Sequence, residues 1–214
     1  MKKNILISMA IFLVAVAIFT SCKKDNAKKD YSSLFKGTVW TGNFNYTGSA
    51  VQPVSIEFSD GGQLLWHELL DDYTGAWKLD NNTLTVSFSA TSGFIADISD
   101  DNKLTNIRSV TGSKWVMVDG ALNTIADESL DLTSWTAPNL VLNFKAGNKV
   151  DMLLGPSGVT KYLDVSYTRK GKSVRFAASS SYKWFIVNNS KTFYKGANSF
   201  TGDPTVYPFD LNKK

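Results

Sequence analysis

Apolar and polar residues alternate along most of this chain in short segments, and each segment ends at a cluster of Gly, Asn, Asp or Ser. Residues 54–58 alternate before the turn at 60–62, and residues 84–88 alternate after the turn at 80–82. A period of two is typical of a β-strand with one buried face, and Gly, Asn and Asp tolerate the backbone geometry of tight hairpins. The pattern predicts an all-β protein built as an antiparallel meander.

The alternation predicts a first meander over residues 34–118 and a second over 134–214. The tail 196–214 contains two prolines, which favour irregular chain ending in an edge strand. The predicted strands are, in chain order, 54–58, 63–69, 77–79, 84–88, 94–98, 103–107, 114–118, 140–144, 149–154, 162–168, 172–177, 184–187, 191–194 and 206–211.

Residues 119–133 interrupt the pattern. Leu122, Ile125 and Ala126 recur there at helical spacing beside acidic residues, so we expect a linker or a short helix between the two meanders.

The two halves also parallel each other in sequence. Two interpretations stay open: two related β halves, or one meander in which the second half completes a single barrel with the first. The parallel segments are 40–41 with 135–136, 54–58 with 140–144, 86–88 with 174–176, and 94–95 with 184–185.

The N-terminus has the pattern of an export signal. Lys2 and Lys3 precede an uncharged apolar run over residues 5–19, and small residues lead to Cys22. The run covers 15 residues, about 22 Å of helix, which is short of the ~30 Å hydrocarbon core of a bilayer. Residues 1–21 are therefore predicted to be a signal peptide.

Cys22 is the only cysteine, and the Phe-Thr-Ser-Cys sequence that ends with it resembles a bacterial lipobox. The resemblance implies lipidation of Cys22, a lipidated tether over 22–33, and attachment to the membrane. Lys23 follows the cysteine where inner-membrane lipoproteins tend to have Asp, so by resemblance the location is the outer membrane. With no second cysteine, an internal disulfide is excluded.

The excess of positive charge lies outside the predicted β domain. The whole chain has 23 basic and 19 acidic residues, whereas residues 31–214 have 17 of each. A neutral domain has no broad positive field, so nucleic acid is not expected as a partner.

The segment Gly37-Thr38-Val39-Trp40-Thr41-Gly42, which opens the first meander, is similar to the start of bacterial lipocalin-like lipoproteins. Residues 75–79 and 101–105 also resemble the usual sequence pattern of that family. The resemblance implies a lipocalin-like β-barrel that binds a small apolar or glycan-like ligand without catalysis. The alternative is a protein–protein interaction module of an outer-membrane complex.

The sequence gives little indication of a catalytic site or a metal site. His67 is the only histidine, and no partners for a triad or a zinc site follow from its spacing. The acidic pairs 71–72 and 100–101 lie in predicted turns, where carboxylates are normally solvated. We therefore predict no catalytic residues, no metal and no cofactor.

Aromatic residues are the better candidates for ligand contact, because Trp and Tyr offer flat apolar faces with one polar tip. We select Trp66 with its neighbour His67, and Trp184 with its neighbour Tyr182, as ligand-binding residues. Strand alternation places Trp66 and His67 on opposite faces.

Overall fold

The computed structural model describes residues 29–214, so the predicted signal peptide and Cys22 lie outside the described residues. Within the described part, all strands pair antiparallel and form two eight-stranded sheets. The prediction of an all-β antiparallel meander is confirmed.

The first sheet curls into a nearly closed barrel. Its strand order is β7-β6-β5-β4-β3-β2-β1-β8, and among the described residues one isolated bridge, Lys103 to Ala121, links the two edges. Its strands are β1 (Thr38–Tyr46), β2 (Gln52–Phe58), β3 (Gln63–His67), β4 (Asp72–Asp80), β5 (Thr83–Ser89), β6 (Ser92–Ile98), β7 (Leu104–Ser109) and β8 (Trp115–Leu122).

The second sheet is a closed barrel with the order β10-β11-β12-β13-β14-β15-β16-β9. Its strands are β9 (Ser134–Ala137), β10 (Leu140–Lys145), β11 (Lys149–Leu154), β12 (Thr160–Lys170), β13 (Ser173–Ser179), β14 (Tyr182–Ser190), β15 (Phe193–Phe200) and β16 (Asp203–Lys213).

The two barrels have the same strand order. In each barrel, the first strand in the chain lies between the second strand and the last. The four parallel segments of the sequence fall on equivalent strands: β1 and β9, β2 and β10, β5 and β13, β6 and β14. The halves therefore form two separate barrels. The alternative prediction, in which the second half completes a single barrel with the first, is wrong.

Residues 119–133 contain no helix. The first four of them complete β8, which extends to Leu122 because it must run alongside β1 as far as Trp40. The remaining linker has no regular secondary structure and bonds to its surroundings: Asn123 Nδ2 donates to the carbonyl of Asn188, and Lys172 Nζ donates to the carbonyl of Ile125. Tertiary pairing thus overrides the helical spacing.

The prediction of an irregular tail with an edge strand is wrong. β15 and β16 pair over most of their length, and β16 also pairs with β9 to close the barrel. β9 reaches only the last residues of β16, at Asn212 and Lys213. Pro208 therefore lies where β16 has no neighbour on that side, so its missing N–H removes no ladder bond.

One end of the first barrel is plugged by aromatic side chains. A 3-10 turn at Ser32–Leu34 leads into Phe35, whose ring stacks on Trp40 with centroids 4.8 Å apart. Trp40 Nε1 donates to the carbonyl of Leu34 at 2.9 Å, and Phe58 and Trp77 pack around the pair. This packing leaves the opposite end of the barrel as the accessible one.

The two barrels meet through a small apolar cluster with charged groups around it. The cluster joins Leu69 of the first barrel to the outer face of the second. Beside it, the hairpin between β12 and β13 approaches β2 so closely that a Cβ on Gly171 would lie 3.0 Å from Ser55 Oγ. The cluster consists of Leu69, Phe185, Val187, Ala197 and Val206.

Candidate ligand-binding site

A cavity of about 170 Å³ opens at the end of the first barrel that lies opposite the aromatic plug. Apolar ring faces form most of its wall, and a single carboxylate is the only formally charged group in it. The lining residues are Phe44, Tyr46, Trp66, Glu68, Tyr73, Phe88, Ser92 and Trp115.

Strand alternation and register bring these side chains together from six strands and from the connection between β3 and β4. Tyr46 of β1 pairs directly with Trp115 of β8, and Phe44, two residues before Tyr46, points to the same interior face. Trp66 lies near the end of β3 and Glu68 directly follows the strand; the two are two residues apart, and both point inward.

The walls are fixed by edge-to-face aromatic packing. The Trp66 ring lies 5.0 Å from Phe44, 5.1 Å from Trp115 and 5.6 Å from Phe88, measured between centroids. Trp115 Nε1 donates to Ser92 Oγ at 3.0 Å. Because each ring contacts several others, the cavity is held in shape by its own walls.

Glu68 is the polar group of the cavity, with only 1% of its surface exposed. Its Oε2 accepts a hydrogen bond from Trp66 Nε1 at 3.0 Å, and its Oε1 accepts one from the Tyr46 hydroxyl at 2.9 Å. Burial raises the pKa of Glu68 above its ordinary value, although these hydrogen bonds oppose the shift. Burial and the nearby Glu68 carboxylate also raise the pKa of Tyr46.

Glu68 is absent from the residues predicted from the sequence, although a signal was present. The alternation that separates Trp66 from His67 also puts Glu68 on the same face as Trp66. An acidic residue close to a predicted turn is usually solvated, and nothing local in the sequence shows that Tyr46, 22 residues earlier, reaches it.

The segment that carries Glu68 is held by the second barrel. Arg175 of β13 donates from Nε to the carbonyl of Glu68 at 3.0 Å and from Nη2 to the carbonyl of Asp71 at 2.8 Å. The same guanidinium pairs with the carboxylate of Asp72 at 2.8 Å. The second barrel therefore positions a residue in the cavity of the first.

His67 does not line the cavity of the first barrel. Its side chain points away from Trp66, as alternation predicts, and is buried between the barrels with 1% of its surface exposed. Nε2 lies 2.7 Å from Glu57 Oε1, and Nδ1 lies 2.9 Å from Asp72 Oδ1. His67 therefore does not line the cavity with Trp66, because the second barrel covers that face. Among the described residues, no group of three or more His, Cys, Asp or Glu is arranged to hold a metal ion.

Tyr182 and Trp184 lie at the mouth of the second barrel, in a shallower and more open pocket of about 280 Å³. Their ring centroids are 6.3 Å apart. No described residue accepts a hydrogen bond from the buried Trp184 Nε1. The four predicted residues are thus divided between two cavities and the interface. The remaining lining residues are Leu154, Asn198, Phe200 and Tyr207.

Comparison with protein-family models, with curated proteins and with solved structures found no significant match for this chain. In residues 29–214, no helix is both long enough and apolar enough to cross a bilayer.

Proposed function

We propose that this protein is a lipid-anchored envelope lipoprotein whose first barrel binds a small apolar or glycan-like ligand without catalysis. The observation that carries the proposal is the aromatic cavity at the mouth of the first barrel. Its rings provide apolar burial, and the Glu68 carboxylate provides a hydrogen-bond acceptor that fixes orientation. Concave, mostly apolar sites with few polar groups are typical of small-molecule binding.

The aromatic composition fits both ligand classes. Apolar ligands gain from burial against Phe44, Trp66 and Trp115, whereas sugar rings stack on the same faces and donate hydroxyl hydrogens to Glu68. The cavity volume of about 170 Å³ limits the enclosed part of a ligand to a small group.

The anchor rests on the sequence around Cys22. Acylation there would leave a short polar tether before the first barrel, with lysines suited to contact lipid headgroups. Lys23 after the cysteine favours the outer membrane.

Intrinsic tryptophan fluorescence tests the ligand site. We expect a ligand from a panel of lipids, glycans and metabolites to change the emission of the full chain and to raise its unfolding temperature. A ligand present at 100 times its dissociation constant adds about 2.7 kcal/mol of stability. Trp115→Phe should reduce the fluorescence response, and the matched variant Trp184→Phe in the second barrel should keep it. The reverse result, or no response from any compound, would contradict the proposal.

Mass spectrometry of protein extracted from membranes tests the anchor. We expect the mature chain to begin at Cys22 with added acyl mass, and Cys22→Ser to abolish both the mass and the membrane association. Wild-type protein without acyl mass would show that the lipobox resemblance is misleading.

The alternative function is a protein–protein interaction module of an outer-membrane complex. Val159, the residue before β12, and Leu163 within β12 have 79% and 60% of their surfaces exposed. If a partner docks there, Leu163→Lys should release a co-purifying envelope protein, whereas Leu132→Lys at another exposed site should not.

A further inference from the structure

We infer that the ligand of the first barrel is a small organic cation whose charged nitrogen carries apolar substituents and rests against the aromatic rings in front of Glu68. This inference rests on the proposed function and specifies the chemical class of ligand for the same cavity.

The charge of the cavity is the first argument. Its lining contains one acidic side chain and no basic one. The two groups that bond the Glu68 carboxylate, the Trp66 indole and the Tyr46 hydroxyl, are both neutral. Each carboxylate oxygen accepts one of these hydrogen bonds and has lone-pair capacity left. A cation in the cavity would supply the charge that these partners do not.

Arg175 does not already fill this role. Its guanidinium lies on the outer side of the barrel, where it bonds the carbonyl oxygens of Glu68 and Asp71 and the carboxylate of Asp72. Asp72 also accepts a hydrogen bond from Lys170. The positive charge of Arg175 is thus committed to the interface, and the Glu68 side chain points the opposite way.

The aromatic walls are the second argument. The faces of Trp and Tyr rings carry negative electrostatic potential and attract cations within about 6 Å of the ring centre. Trp66, Trp115, Tyr46 and Tyr73 surround the space in front of the carboxylate. Ring faces and a buried carboxylate together favour a cation with an apolar shell over a hydrated metal ion, which prefers several oxygen ligands.

Matched charged and neutral compounds test the inference by calorimetric titration of the full-length protein. The pairs are choline with 3,3-dimethylbutan-1-ol, benzylamine with benzyl alcohol, and glucosamine with glucose. We expect at least one cation to bind about tenfold or more tightly than its neutral partner.

Glu68→Gln should weaken the binding of that cation by about tenfold or more and leave its neutral partner nearly unchanged. Glu128→Gln, which removes the same charge from the linker, is the matched control and should change neither. Thermal unfolding of both variants shows whether they fold.

The wild-type protein provides a second readout if Glu68→Gln does not fold. Choline is positive at every pH, so any pH dependence of its affinity comes from the protein. Tyr46 and Tyr73 are the titratable groups that line the cavity with Glu68, and the charges of Arg175 and Asp71 also act on its carboxylate from outside the cavity. Because burial raises the pKa of Glu68, the carboxylate takes up a proton at a higher pH than an ordinary glutamate does. The affinity for choline should therefore fall as the pH is lowered through the pKa of Glu68.

The outcomes separate the two proposals. If the neutral compounds bind as tightly as their charged partners, or if the affinity for the cation changes neither with Glu68→Gln nor with pH, the inference is wrong and the proposed binding function stands. If no compound in these pairs or in the wider panel binds, both are wrong.

Discussion

Asp72 illustrates how single residues join the two barrels. Its carboxylate contacts Arg175 at 2.8 Å, Lys170 at 2.7 Å and His67 at 2.9 Å. Burial raises the pKa of Asp72, but hydrogen bonds from these three residues outweigh that effect and hold it well below its ordinary value near 3.8. Because the folded-state pKa is lowered, the stabilisation is present above the ordinary pKa and is lost as the pH falls below it.

We expect Asp72→Asn to lower the free energy of unfolding at neutral pH by about 1–3 kcal/mol, because it leaves Arg175 and Lys170 without their carboxylate. Below the ordinary pKa of aspartate, wild type should approach the stability of the variant. Urea unfolding over a pH series measures both effects. Asp80→Asn, at the exposed far end of β4, is the control; parallel acid profiles for wild type and Asp72→Asn would contradict the prediction.

At the scale of elements, β1 and β8 pair through two facing glycines. Gly42 lies opposite Gly120, and a Cβ on Gly42 would come within 2.1 Å of the carbonyl oxygen of Asp119. In the second barrel, Gly196 faces Phe209, and a Cβ there would meet the Phe209 ring at 2.2 Å. A backbone carbonyl in a paired strand cannot move aside, whereas a half-buried side chain can.

Gly42→Ala should therefore cost about 1–3 kcal/mol of stability through overpacking, and Gly196→Ala should cost less. Chemical denaturation of the two variants gives the comparison. Equal losses would show that β1 and β8 separate as easily as Phe209 rotates.

At the scale of the whole molecule, the barrels behave as one unit because their contact is both apolar and charged. Leu69 is fully buried against Phe185 and Val187, and Arg175 bonds three groups of the first barrel around this cluster. The linker adds contacts, since Arg169 and Lys172 both bond Asp127. We expect the wild-type protein to unfold in a single transition.

Arg175→Ala should lower the stability of the interface by about 2–3 kcal/mol and separate the unfolding of the two barrels into two transitions. It should also weaken ligand binding, because Glu68 loses the donor to its carbonyl. Calorimetry and near-ultraviolet circular dichroism detect the split. Arg108→Ala, on the exposed face of β7, is the control, and an unchanged single transition in Arg175→Ala would show that the barrels stay coupled without Arg175.

The strands were predictable from the sequence because their signal is local. Alternation located β2, β5, β10 and β11 and correctly placed Trp66 opposite His67. The continuation of β8 to Leu122 and the closing role of β16 were not predictable, because they depend on pairing with β1 and β9, distant in the chain.

The candidate site was predictable only in part, for the same reason. Trp66 was found from its residue type, but its cavity also requires Tyr46, Phe88 and Trp115, which only register brings near. The burial of His67 depends on the second barrel, whose Arg175, more than 100 residues later in the chain, bonds the nearby Asp72.

The bond from Arg175 to the Glu68 carbonyl has a consequence for anyone who would engineer a minimal version of this protein. A fragment cut after residue 122 keeps all eight strands of the first barrel and every residue that lines its cavity. It would nevertheless present Leu69 to water and release the Glu68 segment from its guanidinium anchor. Although the chain looks like two interchangeable modules, both barrels hold the proposed binding site in place, and a reduced version must carry a substitute for the missing half.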